Sequence, residues 1–398
     1  MKPTNSELIA RISSMLLILI FLLSGIACSD KKEKSATSQN SAGEGIASPA
    51  LTPKQELGKL LFFETSLSTP PGQSCAQCHD PLVAFADPET ELPVSRGAVH
   101  GLYGNRNDMP VSYSMYVPAL HKDEEEGIWV GGLFWDGRAN SLAEQAQGPP
   151  LNPLEMANPD MNTIASRLEA LPYADRFREI YGEEALATPQ AAFDNMADAI
   201  AAYEQSAEVN PFSSKYDHWL RGEASFTEQE ERGFALFVSE NKGNCVACHP
   251  HQSADENIPP MFTDFTYDNL GTPRNPENPF YSLPAEFNPD GYDYKDLGLG
   301  ITVNDPNENG KFRVPTLRNI ALTKPYMHNG VFKSLFSVLA FYNSRDITDW
   351  PDPEVRENVN TEEMGDLGLT NQEMEDIVAF LHTLTDGWKP EDGQRSHP

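Results

Sequence analysis

Two pentapeptides decide how this chain is read: Cys75-Ala76-Gln77-Cys78-His79 and Cys245-Val246-Ala247-Cys248-His249. Each is a CxxCH, the attachment signature of c-type haem, in which two thiols form thioethers to the ring and the adjacent His ligates the iron. A zinc ribbon and a redox dithiol also use CxxC. The ribbon wants its pairs about 15–20 residues apart, far closer than Cys78 and Cys245, and a dithiol has no need of His after both pairs. The two motifs use four of the five cysteines and leave only Cys28. The expected cofactors are two covalently bound c-type haems.

Working outward, each pentapeptide follows a related helix start. Thr52 to Phe62 (TPKQELGKLLF) and Thr227 to Phe237 (TEQEERGFALF) share Thr, Glu, Gly and Leu-Phe at identical spacing. Thr52 with Gln55, and Thr227 with Glu230, have capping-box spacing, and Pro53 sits at the first helical position. The chain therefore contains two related modules. A helical stripe (Phe193, Met196, Ala197, Ile200, Tyr203) follows Thr188-Pro189, and a last helix follows Thr370, with Ile377, Phe380, Leu381 and Leu384 on one face. Residues 252–310 show no periodicity. Such a length of irregular chain fits a compact domain if a large apolar cofactor supplies part of the core.

The 398 residues carry 29 Lys+Arg against 59 Asp+Glu, a formal charge of −30 that makes nucleic acid an unsuitable partner. Residues 1–27 read as an export signal: Lys2 and Arg11, the apolar run Met15–Leu23, then small residues before Cys28. The junction resembles a lipoprotein signal, with Cys28 lipidated and Gly25 where Leu is usual. An ordinary cleaved signal or an uncleaved anchor is the competing reading. All place the body outside the cytoplasm, on the periplasmic side, and the lipoprotein reading anchors it by lipid, with Ser29 favouring the outer membrane. Residues 28–50, nearly without large apolar side chains, are a flexible tether spanning on the order of 25 Å.

From about Leu51 to Thr385 the chain resembles the bacterial di-haem cytochrome c peroxidases and their relative MauG. The resemblance rests on ordered motifs: Glu56-Leu57-Gly58-Lys59-Leu60-Leu61-Phe62, the first CxxCH with Asp80-Pro81, Arg106-Asn107, Phe134-Trp135-Asp136-Gly137-Arg138-Ala139, Glu144-Gln145-Ala146 running to Pro149 and Glu155-Met156, then Val314-Pro315-Thr316-Leu317-Arg318-Asn319 and Pro325-Tyr326-Met327-His328-Asn329-Gly330. It implies an all-α fold of two cytochrome c-like domains with long irregular loops, 51–210 around the peroxidatic haem and 211–388 around the electron-transfer haem, followed by a tail. His79 and His249 are the implied iron ligands. Glu155 matches the distal acid–base carboxylate, Gln145 and Pro149 its neighbours, and Trp135 the aromatic between the haems. Asn107, Thr323 and Pro325 match residues around a calcium ion.

The chain departs from the Met-ligated peroxidases at the sixth ligand of the second haem, where the family offset from His328 lands on Tyr342, the MauG-like choice. Met327 is the competing candidate. His100 lies near the place of a histidine that gates the peroxidatic iron, or is a plain loop residue. The resemblance implies a peroxidase that reduces hydrogen peroxide with electrons from a small cytochrome or cupredoxin. One alternative is MauG-like oxidation of a partner protein through high-valent haems; another is an electron carrier without catalysis. Relatives of this kind are often homodimers.

Overall fold

The computed structural model describes residues 49–253 and 255–390. The export segment, Cys28, the tether up to residue 48 and the tail from residue 391 lie outside the described residues. Eight helices organise the rest: α1 (Pro53–Phe62), α2 (Leu142–Leu151), α3 (Met161–Glu169), α4 (Asp175–Tyr181), α5 (Pro189–Glu204), α6 (Glu228–Phe237), α7 (Leu335–Ser344) and α8 (Asn371–His382). Shorter helical turns fill the connections. The all-α expectation needs one amendment, because β1 (His121–Lys122) pairs antiparallel with β2 (Trp129–Val130), and β3 (Tyr267–Asp268) with β4 (Phe312–Arg313).

The duplication is visible in three dimensions. Thr52 and Thr227 both cap through a capping box, with Gln55 and Glu230 reaching back. Helix α1 packs on α5, and α6 on α8. Each crossing is closed by the shared glycine: a Cβ on Gly58 would collide with the Ala199 carbonyl and lie 2.9 Å from Tyr203 Cβ, and one on Gly233 would collide with the Asp376 carbonyl and lie 2.9 Å from Phe380 Cβ. Around the first crossing, buried residues from Leu57 to Val209 form one core. Around the second, residues from Tyr216 to Leu384 form another, rich in aromatic rings.

The irregular stretch 252–310 borders the cavity beside His249 through Asp268, Leu270 and Thr272. Buried asparagine amides tie it down: Asn269 Nδ2 donates to the Val355 and Glu357 carbonyls, Asn275 to Asn329, Asn278 to Asn105, and Asn288 to Phe280 and Gly291. Each amide satisfies backbone acceptors that a helix or sheet would otherwise have paired. A small cluster of Leu102, Phe280, Tyr281 and Leu283 adds apolar contact.

A buried polar knot joins the two halves. Arg318, fully buried, donates through both terminal nitrogens to Asp217 at 3.0 and 3.1 Å and lies over the rings of Phe212 and Tyr113. The Tyr113 hydroxyl donates to Asp386 at 2.7 Å, and Asp386 also accepts from Ser213 N–H and Asn319 Nδ2. Gly233→Ala forces two backbones apart and is expected to destabilise the protein by about 1–3 kcal/mol, the usual cost of overpacking. Denaturant titration of the variant beside Leu236→Val checks this, since only the glycine change should act by crowding.

Candidate active site and haem cavities

Each CxxCH opens onto its own cavity. The first, about 170 Å³, is bordered by Cys75, Cys78 and His79, and the second, about 200 Å³, by Cys245, Cys248 and His249. One water needs only roughly 10–15 Å³ by this measure, so both are far larger than a hydration site. Protein interiors are close-packed, and holes of this size lined mainly by apolar side chains are built to take a large apolar group.

The two histidines are oriented alike. His79 Nδ1 lies 3.2 Å from the Phe85 carbonyl, and His249 Nδ1 2.7 Å from that of Phe262. Such a bond fixes the proton on Nδ1 and leaves Nε2 as the ligating atom. Both phenylalanines adopt left-handed backbone, with φ of 58° and 53°, a costly conformation for a bulky residue. Neighbouring bonds hold them there: Val111 N–H donates to the same Phe85 carbonyl, while Thr263 and Thr316 hydroxyls pin the chain on either side of Phe262. Burial lowers His249 to about 4, so its ring is neutral, as a metal ligand must be.

The cysteines point the same way. None of the four is in a disulfide, and burial raises the Cys75 and Cys245 thiols to about 12. Reactive dithiols and zinc thiolates need the opposite shift. Among the described residues the one group with metal-like clustering is Cys248, Asp268 and Glu363, and it joins only one cysteine of one motif. The chemistry of the donor set therefore fits haem, with His79 and His249 as ligands and the cysteine pairs as attachment points.

Glu155, Gln145 and Pro149 border the His79 cavity. Helix α2 carries Gln145 and Pro149, and the turn after it brings Glu155 round. Burial, reinforced by Asp108, raises the Glu155 carboxyl to about 7, against the pull of Arg138 and of Asn152, whose Nδ2 donates to Oε1 at 2.7 Å. Trp135 borders both cavities, and its indole N–H donates to the Asn107 carbonyl at 2.7 Å. Nearby, Arg106 lies between the carboxylates of Asp296 and Asp136, at 2.6 and 2.7 Å.

Tyr342 and Met327 both border the second cavity, with the Tyr342 hydroxyl pushed up by burial and then by the Cys248 and Cys245 thiols. Asn107, Thr323 and Pro325 border it too, and the Asn107 amide nitrogen donates to Pro93 O at 3.1 Å. His100 stands apart. It is exposed and is not among the residues bordering either cavity, because its loop is fastened to the outside of the Glu155 segment: Ala98 N–H donates to Glu155 O at 2.7 Å, and Gly97 leaves no room for a side chain against Leu154.

The di-haem cytochrome c peroxidase family model matches residues 52–225. The methylamine utilization protein MauG of Paracoccus denitrificans is 40% identical over 85% of this chain and 90% of its own. The chain belongs to the di-haem cytochrome c peroxidase and MauG family. The cytochrome-c peroxidase IdrP1 of Denitromonas iodatirespirans is 31% identical over 85% of this chain and 82% of its own. Among solved structures, the diheme peroxidase BthA of Burkholderia thailandensis superposes with a TM-score of 0.77 at 35% identity, covering 88% of this chain and 91% of that one. As in that family, the protein is a di-haem c-type oxidoreductase.

Sequence reading did not single out Asn152, Asp108, Phe85 or Phe262. Asn152 could have been flagged, three residues before Glu155 in a turn, and so could Phe85, six residues after His79; Asp108 and Phe262 act across longer stretches of chain. Replacing Cys245 and Cys248 together by Ala is expected to halve the haem that stays with the polypeptide in SDS electrophoresis. Undiminished haem would show that attachment does not run through these thiols.

Proposed function

We propose that the protein reduces hydrogen peroxide in the His79 cavity, taking two electrons and two protons per peroxide to give two waters. Haem bound there, ligated by His79 and attached through Cys75 and Cys78, supplies the iron at which peroxide is reduced. The observation that carries the proposal is Glu155, a buried carboxyl raised to about 7 in the cavity that His79 borders. A carboxylate so placed accepts a proton from one peroxide oxygen and hands it to the other as the O–O bond breaks, and its pKa near neutrality suits both transfers. Asn152 holds one carboxylate oxygen, leaving the other to work. Gln145 and Pro149 shape the same wall. A pure electron carrier has no use for such an acid.

The electrons come by way of the second cavity and Trp135, which borders both. On the first reading a small cytochrome or cupredoxin supplies them, and the acidic body attracts a basic donor. A second reading keeps the peroxide step and takes the electrons from side chains of a partner protein. Tyr342 favours it, being a hard oxygen donor suited to higher iron oxidation states. Asn107, Thr323 and Pro325 would supply oxygen ligands for calcium, which takes such ligands. Cys28 would tether the protein by lipid on the periplasmic side.

Because peroxide must lose its proton to a carboxylate, the reaction with peroxide is expected to speed up as pH rises through about 7. Glu155→Gln should slow it by roughly 10²–10⁴-fold and remove that pH dependence; stopped-flow spectra across pH 5 to 9 read both.

His100 stands outside the cavity, so fully oxidised protein is expected to react with one equivalent of peroxide at once. Reaction only after half-reduction would mean that the loop moves to place a ligand on the iron. Tyr342→Met is expected to raise the second haem's potential and favour turnover with a reduced cytochrome, read by potentiometry and by cytochrome oxidation.

A further inference from the structure

One buried acid of the His79 cavity has no part in the chemistry above. Glu204, in the last turn of α5, is 4% exposed and borders the cavity one helical turn beyond Ile200. Its Oε2 has no hydrogen-bond partner. Burial alone raises it to about 8, with no neighbouring charge contributing. Charged side chains on α1, α2 and α3, which pack against α5, pair with groups other than Glu204: Lys54 with Asp198 of α5 itself, Glu56 with Arg176, Lys59 with Glu208, Glu144 with the Asn140 N–H, Glu169 with Arg178, and Arg167 with the Ser68 carbonyl and Asn158. Across the cavity stand Cys75, Cys78, His79, Asp108 and Glu155, with Arg106 and Arg138 held by Asp296 and Asp136. Of these groups Cys75 is the one whose thiol feels the Glu204 charge.

An unpartnered carboxyl beside a redox group has a definite electrostatic consequence. Reduction of a ferric haem removes one positive charge from a low-dielectric cavity, and oxidation restores it. A nearby carboxyl answers by binding a proton in the reduced state and releasing it in the oxidised state, so that the total charge of the cavity stays constant. We propose that Glu204 is the redox-linked proton site of the His79 haem. When a one-electron reductant delivers an electron to that haem, the Glu204 carboxylate takes one proton from solvent to become the neutral acid. On oxidation the electron leaves and the proton returns to solvent. Each electron needed for peroxide reduction then enters the cavity without building up charge.

This inference rests on haem being attached at Cys75 and Cys78, and a failure of attachment would show separately, as missing covalent haem. Two other raised acids border the cavity, Glu155 and Asp108; Glu155 is removed first, and Asp108 is kept in both proteins compared. In holo Glu155→Gln protein, the His79 haem potential is measured by spectroelectrochemical titration from pH 5.5 to 9, beside the Glu155→Gln/Glu204→Gln double variant. Coupling of one proton to one electron makes the equilibrium shift tenfold per pH unit, which converts to about 59 mV. The single variant is expected to fall by up to that slope between the Glu204 pKa of the oxidised state and that of the reduced state, while the double variant loses this fall. Equal slopes in the two proteins, or a flat line in the single variant, overturn the assignment.

Gln has the shape of the protonated acid, so the double variant should fold. If it does not, the redox-difference infrared spectrum of the Glu155→Gln protein decides. A carboxylic acid C=O band that appears on reduction and persists when Asp108→Asn is added supports Glu204; its absence, or its loss with Asp108→Asn, overturns it.

Discussion

Each half of the protein is closed at one point where two helix backbones touch with only a glycine between them. At Gly58 and at Gly233 the approach is so close that no side chain fits. The crossings set the distance between α1 and α5 and between α6 and α8. In doing so they fix where the loop after each first helix can run. That loop carries the CxxCH, and the cavity opens where the two helices and the loop part company. The cores continue into the cavity walls: Phe62 and Ile200 belong to both in the first half, and Phe237 and Ile377 in the second. A hole of this size is tolerable in a folded protein only when something large and apolar belongs in it.

The second recurring device is the phenylalanine carbonyl turned onto a histidine. Two bulky residues hold a backbone conformation suited to glycine, and in both places the carbonyl meets the imidazole Nδ1. The strain is local and the reward is a ring with its other nitrogen free and correctly aimed. Because it occurs in both modules, it belongs to the inherited unit. What differs between the modules is the opposite wall of each cavity: a carboxyl, an amide and a proline face His79, whereas a tyrosine and a methionine accompany His249. The two cavities thus offer a bound group different side-chain chemistry on a shared histidine arrangement.

How much of this was legible in the chain follows the range of the interactions. The caps at Thr52, Thr188, Thr227 and Thr370 are local, and each appears where the sequence pattern puts it. The attachment motifs are local too. Glu155 could be singled out only through a family resemblance, since nothing within a few residues marks one acid among 59. Glu204 escaped notice for the opposite reason. It follows an apolar stripe at the end of a helix, where a carboxylate usually faces water, and only the packing of α1 and α2 against α5 encloses it. The asparagines of 252–310 read as loop composition. Their amides turn out to do the work of missing secondary structure, because those of Asn269, Asn275 and Asn278 meet carbonyls that come from far along the chain.

The knot around Asp386 bears on the order in which the molecule can be completed. A polypeptide emerges from its N-terminus, yet the Tyr113 hydroxyl in the first half waits for a carboxylate 273 positions later. Arg318, whose ring stacking also depends on Tyr113, is in place well before that carboxylate arrives. The earlier module can therefore assemble its own core and meet Asp296 and Tyr267 of the later one, but the Tyr113 end of the contact closes only when almost the last described residue is made. A chain cut short near its end would keep both attachment motifs, both glycine crossings and the bonds from Arg106 to Asp296 and from Asn278 to Asn105, and would lack only the Asp386 part of the contact between the halves.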